Sequence, residues 1–430
     1  MSGGGNDPHL PTAADVGHRP VAERRDLFLI YGAALLRSTA TGMISVLLGV
    51  YLARQGASAT QIGLVIAVGL IGTAIATVLL SWRGDQLGRR RTLILFAMLS
   101  SVAGFALVFT VRASILLPLA LIGMLNAMGT DRSAAFALEQ AIIPGLVTDR
   151  SRTWALSWYN VVLDGSGAAG ALAAGVPALL HRWLDFDFTS AYRTVFLGFA
   201  LLNLAAAVLY AFLTRRVEVV ARGEQPPPVS PETRRTVAKL AGLFALDSFG
   251  GGFLGDALVA YWFFQRFGIS VQALGAMFAV VHVLNALSHL GAAAIARRIG
   301  LLNTMVFTHL PSSVFLILVP FAPSFEMAAV LFFLREALVE MDVPSRQSYV
   351  AAIVRPHERT FASGVTNLVR NLMWAAGSSV GGFFMQNLAF SAPLIAGGSI
   401  KIVYDALLYR AFRRVKPAEE RRPTAPTISG

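Results

Sequence analysis

Between Arg335 and Gly382 the chain reads REALVEMDVPSRQSYVAAIVRPHERTFASGVTNLVRNLMWAAGSSVGG, charged and apolar by turns, and this stretch has a copy earlier in the sequence. Self-similarity at a fixed spacing marks an internal repeat, and a shift of roughly 200 residues reveals one here. Arg359-Thr360-Phe361-Ala362 falls on Arg152-Thr153-Trp154-Ala155. Without a gap, Asn367 then falls on Asn160, Asn371 on Asp164, Gly377 on Gly170 and Gly382 on Gly175, while upstream Arg346-Gln347 falls on Glu139-Gln140. Gly56-Ala57-Ser58 to Gly63 is echoed by Gly268-Ile269-Ser270 to Gly275 at a slightly different offset, as an indel would produce. The chain reads as a duplicated half, its centre near the Pro-rich segment 226–231.

Composition places both halves in a membrane. Hydrophobic residues make up 55% and charged residues 14%, against roughly 45–50% and about 25% in soluble domains, and the mean hydropathy is +0.61. Apolar runs of about 20 residues, the length that crosses one bilayer, recur along the chain. Predicted spans are 26–52, 60–82, 92–111, 115–143, 153–180 and 194–213, then 240–267, 271–298, 301–321, 325–354, 360–388 and 393–412. The expected organisation is a disordered cytoplasmic tail (1–25, with no apolar signal-like region), an N-terminal six-helix bundle (26–213), a linker (214–239), a C-terminal six-helix bundle (240–413) and a basic tail (414–430). Arginine is concentrated on one set of loops, among them Arg83, Arg89 to Arg91, Arg215, Arg216, Arg297 and Arg298. By the positive-inside rule those loops, both termini and the linker are expected to be cytoplasmic. The net charge of +12 is accounted for by this topology, so no nucleic-acid partner is expected. Cysteine is absent and leaves the redox compartment undecided.

Between the second and third spans lies Gly84-Asp85-Gln86-Leu87-Gly88-Arg89-Arg90, which resembles the loop signature of major facilitator superfamily transporters. Ser81 and Gln86 depart from the usual pattern, and in the second half Arg297 stands where the aspartate would be. Over residues 26 to about 412 the resemblance implies an all-α integral membrane protein with twelve transmembrane helices in two pseudo-symmetric bundles. It also implies secondary active transport by alternating access, coupled to protons, and a bacterial efflux type in the inner (plasma) membrane. Asp85, Gly88 and Arg89 become gating candidates, with Asp85 expected to face the N-terminus of the eleventh helix, where backbone N–H groups favour a carboxylate.

Charge at bilayer depth is costly and gathers at functional surfaces. The first span carries Arg37, the fourth Asp131, Arg132 and Glu139, the seventh Asp247 and Asp256, and the tenth Arg335, Glu336, Glu340, Asp342 and Arg346. Arg37, Asp131, Arg132, Asp247, Arg335 and Glu336 are the candidates for the substrate and proton pathway, and Asp247, Glu336 and Glu139 are the carboxylates weighed as proton carriers. Simple neutralisation between neighbours competes with that reading for each of them. Glu139 and Arg346, at matching positions and of opposite sign, are expected to meet across the pseudo-twofold axis and close the cytoplasmic mouth; bonding of each within its own half is the competing expectation.

Lys401 and Asp405, at i and i+4, are expected to pair with each other. His282 and His289 share a helix face and could take a proton, but they make a poor metal site, and neither metal nor cofactor is expected. Gly165, Gly170, Gly175, Gly377 and Gly381 are read as helix-packing residues. Gly170 to Pro177 resembles the glycine–proline motif of drug antiporters and favours export. Pro344 should kink the tenth span, and Gly250 to Gly252 should weaken the seventh.

No phosphate-binding loop or nucleophile–base set is visible, so direct ATP drive and enzyme function are not expected. The preferred function is proton-coupled efflux of a small organic molecule by a monomer. Uptake of a polar metabolite or anion is the alternative, and a non-concentrating sensor or scramblase is the reading from a different class.

Overall fold

Lipid offers no partners to backbone N–H and C=O groups, so a chain that crosses it repeatedly must satisfy them within helices. The computed structural model describes residues 21–109, 112–129, 133–147, 149–218, 229–355 and 358–414, and its spans are helical. The first half contains α1 (Val21–Arg54), α2 (Ala59–Leu87), α3 (Arg89–Phe109), α4 (Ala113–Gly123), α5 (Ala134–Ile142), α6 (Asp149–Ala173), α7 (Val176–Leu184) and α8 (Phe188–Ala211). The second contains α9 (Pro231–Gly252), α10 (Asp256–Phe267), α11 (Val271–Ile299), α12 (Leu301–Leu318), α13 (Phe325–Val339), α14 (Asp342–Ile353), α15 (Arg359–Asn387) and α16 (Ala392–Phe412). Eight stretches among the described residues are long and apolar enough to cross a membrane by length and composition. The spans outside that set are interrupted, as in α4–α5 and α13–α14, or carry polar groups such as Arg370 in α15 and Lys401 and Asp405 in α16. Leu79, Val102, Val283, Phe307 and Val330 are all more than half exposed, an outer surface suited to lipid.

Four spans that the sequence predicts as continuous are broken, and local chemistry explains each break. In the fourth, helix stops at Met124 (φ 52°) and restarts at Ala134. The intervening backbone turns through Gly129 at φ +86°, Asn126 accepts from the Met128 N–H at 3.0 Å, and Ser133 caps α5 by accepting from Phe136 at 3.2 Å. The fifth breaks at Ala174-Gly175, just before Pro177. The seventh breaks after the Gly250-Gly251-Gly252 run, a sequence of low helix propensity. In the tenth, Pro344 removes the N–H that would bond the Glu340 carbonyl, and the expected kink becomes a full interruption between Val339 and Asp342.

Each half is clipped to itself at the end that holds the termini. Glu218 accepts the backbone N–H groups of Arg89 and Arg90 at 2.6 and 3.3 Å, an acidic cap on the start of α3. Glu358 accepts from Ser230 N at 2.7 Å and Thr233 Oγ1 at 2.5 Å, the same device on the start of α9. The halves meet at the opposite end. Gly63 of α2 and Gly382 of α15 face one another so closely that a Cβ on Gly63 would lie 3.1 Å from the Gly382 Cα. Beside them Thr60 N–H donates to Gln386 Oε1 at 3.2 Å, and the Arg54 guanidinium lies 4.8 Å from the ring of Phe188 in α8 and 5.3 Å from that of Phe264 in α10. Gly275 of α11 approaches the Ala171 carbonyl of α6. Where lipid supplies no hydrophobic drive, such backbone proximity supplies the dispersion that joins helices.

Candidate functional site

Two of the interrupted spans, the fourth and the seventh, interlock. The Ala257 N–H, at the start of α10, donates across the halves to the Ala127 carbonyl in the gap between α4 and α5, at 3.2 Å. The Asp256 carboxylate lies against Gly129, where a side chain on Gly129 would overlap it, and accepts from Ser45 Oγ of α1 at 3.3 Å. Positive φ and close approach together make this position a glycine.

From this junction a cavity of about 100 Å³ extends into the second half, lined by Asp256, His282, Arg335, Glu336, Arg346 and Lys401 among others. A neighbouring cavity of about 50 Å³ shares Gly129, His282, Asn285 and Glu340 with it and reaches Ser38 and Asp164 of the first half. His282 packs over Gly167 of α6, whose missing side chain leaves room for the imidazole. His289 lies 4.0 Å from Asp164 and 3.8 Å from Glu340.

Two buried charge networks flank this space. In the first half Glu139, fully buried, accepts from Arg37 Nη2 at 2.7 Å and from the hydroxyls of Tyr159 and Tyr210 at 2.6 Å each. The Tyr210 hydroxyl itself accepts from Arg37 Nη1 at 2.5 Å, which closes the ring of bonds. In the second half Asp247 accepts from Lys401 Nζ at 2.7 Å. It also lies 3.7 Å from both Arg346 and His309, while Arg346 bonds Asp342 and His309 Nδ1 bonds the Asp405 carboxylate at 3.0 Å. This second network is less complete: Arg346 Nη2, Asp342 Oδ1 and the Tyr404 hydroxyl are buried without hydrogen-bond partners. Partial satisfaction of buried polar groups is costly and marks a place where an arrangement can change.

Both networks join the first and fourth spans of a half, with signs reversed. In the first half the cation Arg37 is on α1 and the anion Glu139 on α5; in the second the anion Asp247 is on α9 and the cation Arg346 on α14. The structure therefore does not bring Glu139 and Arg346 together in this arrangement: each bonds within its own half, because a partner lies nearer there. Lys401 and Asp405 do not form the expected i,i+4 pair either, since His309 occupies Asp405 and Lys401 reaches Asp247 on another helix. Arg335 and Glu336 bond each other at the cavity wall. Gly165 has open space rather than a packing partner, whereas Gly170 lies against Thr39 and Gly377 against Phe249.

Gly88 and Arg89 belong to the α3 cap formed by Glu218, a role not apparent in the signature loop itself. The backbone at Asp85 is helical, but its side chain, like Asp131 and Arg132 altogether, lies outside the described residues. Sequence reasoning missed His309 as the bridge between Asp247 and Asp405, and Tyr159 and Tyr210 as the clamps on Glu139. The polar stripe Thr304, Thr308, His309, Ser312 and Ser313, all buried, was the available signal for the ninth span. Among the described residues no group of three or more His, Cys, Asp or Glu could hold a metal ion.

The sequence profile described as Major Facilitator Superfamily matches residues 30–310 and 240–427. An uncharacterized membrane protein of Saccharomyces cerevisiae, YJR124C, is 26% identical over 417 residues, covering 89% of this chain and 93% of its own. Among solved structures, a bacterial homolog of the human lysosomal transporter Spinster, inward-facing and occupied, superposes with a TM-score of 0.74 at 16% identity over 92% of this chain and 98% of its own. A point mutant of the nucleoside transporter NupG gives 0.72 at 13% identity over 90% and 100%. The human organic anion transporter MFSD10 gives 0.62 at 20% identity over 91% and 100%.

Proposed function

Because the chain belongs to the Major Facilitator Superfamily, a family of membrane transporters, we propose that it exports a small organic molecule in exchange for protons, its halves rocking about the central cavity. The observation that carries this reading is the ionisable cavity at the junction of the halves, joined at one end by close glycine contacts and flanked by an incompletely satisfied charge network. Alternating access needs a site both halves can reach and a seam that can part, and coupling needs ionisable groups whose partners change between states. The Gly170–Pro177 pattern supports export, since Gly170 forms part of the close α6–α1 seam just before the break in the fifth span. Arginine-rich loops support cytoplasmic termini in an inner or plasma membrane.

The test is flux through the purified full chain in proteoliposomes under an imposed pH gradient, with tetraethylammonium, benzenesulfonate and uridine as probes that carry no proton across lipid unaided. Exchange predicts probe and proton moving in opposite directions, with no such movement in protein-free vesicles. Movement in the same direction supports proton-coupled uptake, the second reading, which the unpartnered guanidinium nitrogens of Arg335 and Arg346 favour for an anion. Flux that ignores the pH gradient counts against coupling.

A further inference from the structure

We propose that Asp256 is the binding carboxylate for an organic cation, and that cation and proton occupy it by turns. The proposal deepens the exchange reading and names its substrate class. Among the described residues, Asp256 has Ser45 Oγ as its hydrogen-bond partner and no Lys, Arg or His within the 4.0 Å of an ion pair. Apart from Glu340, which lies 3.8 Å from His289, the other cavity carboxylates differ in this respect: Asp247 holds Lys401, Glu336 holds Arg335 and Asp342 holds Arg346. Protonating any of those leaves a buried cation behind, whereas protonating Asp256 leaves none. The cavity's remaining guanidinium, Arg370, donates to Ser248 Oγ at 3.2 Å and stacks 4.9 Å over Trp374. Among the described residues the wall thus presents a carboxylate without an ion-pair partner.

A second feature points to a ligand at the same place. His282 is 5% exposed, lines both cavities, and its Nε2 is buried without a partner. An organic cation between Asp256 and His282 would satisfy the carboxylate by charge, and one that carries an N–H would also bond the imidazole nitrogen. The groups around Asp256 are of mixed sign: α1 offers Ser45, while its Arg37 is committed to Glu139; α11 offers His282; α15 offers Arg370, engaged as above. From the α13 side come Glu336, Glu340 and the paired Arg335. With Arg335 and Glu336 bonded to each other, Glu340 leaves the balance of charge beside Asp256 negative, which favours a cation over an anion. A single carboxylate neutralised by one positive charge excludes the second, so occupancy by turns gives one-for-one exchange. Asp256 also abuts Gly129 and precedes the inter-half bond of Ala257, which places the bound charge at the junction that must move.

Carbodiimide labelling with peptide mass spectrometry tests this on the wild-type chain in proteoliposomes. N,N′-dicyclohexylcarbodiimide should modify Asp256 at pH 6, and tetraethylammonium or phenethylammonium should reduce that modification at least fivefold, while benzenesulfonate and uridine leave it unchanged. Absence of modification at Asp256, protection by neither cation, or equal protection by benzenesulfonate overturns the proposal. In flux, Asp256→Asn should lose pH-driven movement of tetraethylammonium at least tenfold, and Asp256→Glu should retain part of it with a displaced pH profile. Should Asp256→Asn fail to fold, the Asp256→Glu profile and the wild-type labelling still decide. Wild-type exchange that persists in Asp256→Asn overturns this proposal alone; cation-protected labelling without any proton flux overturns the exchange reading and leaves the cation site standing.

Discussion

Glu139 and Asp247 are both carboxylates buried beside cations, yet their surroundings assign them different consequences. Glu139 is saturated by one guanidinium and two phenols, so Glu139→Gln leaves Arg37 buried and under-compensated, a loss of about 3–5 kcal/mol in comparable pairs. Thermal unfolding in detergent should show that loss, and the Arg37→Met/Glu139→Gln double variant should be more stable than Glu139→Gln alone. Charge swaps distinguish partners within a half from partners across it. Glu139→Arg combined with Arg346→Glu should transport no better than the worse single variant, whereas Arg37→Glu with Glu139→Arg should recover part of the flux. Recovery by the first pair instead would mean that the two halves exchange these partners during the cycle. The sequence made the charged positions legible, because ionisable residues stand out against apolar spans. It left their partners illegible, because Lys401 has Asp405 one turn away and still bonds Asp247 on a different helix.

Among elements, the interrupted helices separate what periodicity can reveal from what it cannot. A hydropathy window sums residues 115–143 into one span, since the stretch is apolar on average; it does not sense that Met124 and Gly129 take positive φ and that Ser133 starts a new helix. The break at Pro344 was legible as a kink because proline acts through its own missing N–H, a local cause. The approach of the Asp256 carboxylate to Gly129, over a hundred residues away in sequence, lies outside any such window, and only the folded chain unites them. Gly129→Ala tests the element directly. A left-handed non-glycine costs roughly 1–2 kcal/mol by backbone sterics alone, and the added methyl displaces the Asp256 carboxylate as well. We expect a modest drop in melting temperature and a much larger loss of pH-driven flux. Gly165→Ala, at a position with open space, should leave both nearly unchanged.

For the whole molecule, the twelve-span duplicated architecture was legible from the repeat of Arg152-Thr153-Trp154-Ala155 at Arg359 and from the spacing of apolar runs. Which end of the seam is closed was not, because it is a property of one arrangement of two bundles. The absence of cysteine makes this testable. Thr60→Cys with Gln386→Cys, bridged by a short bifunctional reagent, should stop flux, and a cleavable version of the reagent should restore it; undiminished flux after complete bridging would show that this end need not part. Single cysteines at Ser58 and Ser230 should react with impermeant reagent from opposite sides of the membrane if the termini are cytoplasmic. The reversed signs of the pairs Arg37–Glu139 and Asp247–Arg346 have an electrical consequence. A twofold axis along the membrane normal keeps the normal component of a vector, and inverting its charges reverses that component. The dipoles of the two pairs therefore tend to cancel across the bilayer, where one elementary charge is otherwise worth about 2.3 kcal/mol per 100 mV. Rocking of the bundles moves little gating charge through these pairs, and the voltage dependence of turnover then reads the charge of the cargo and its counter-ion rather than that of the protein.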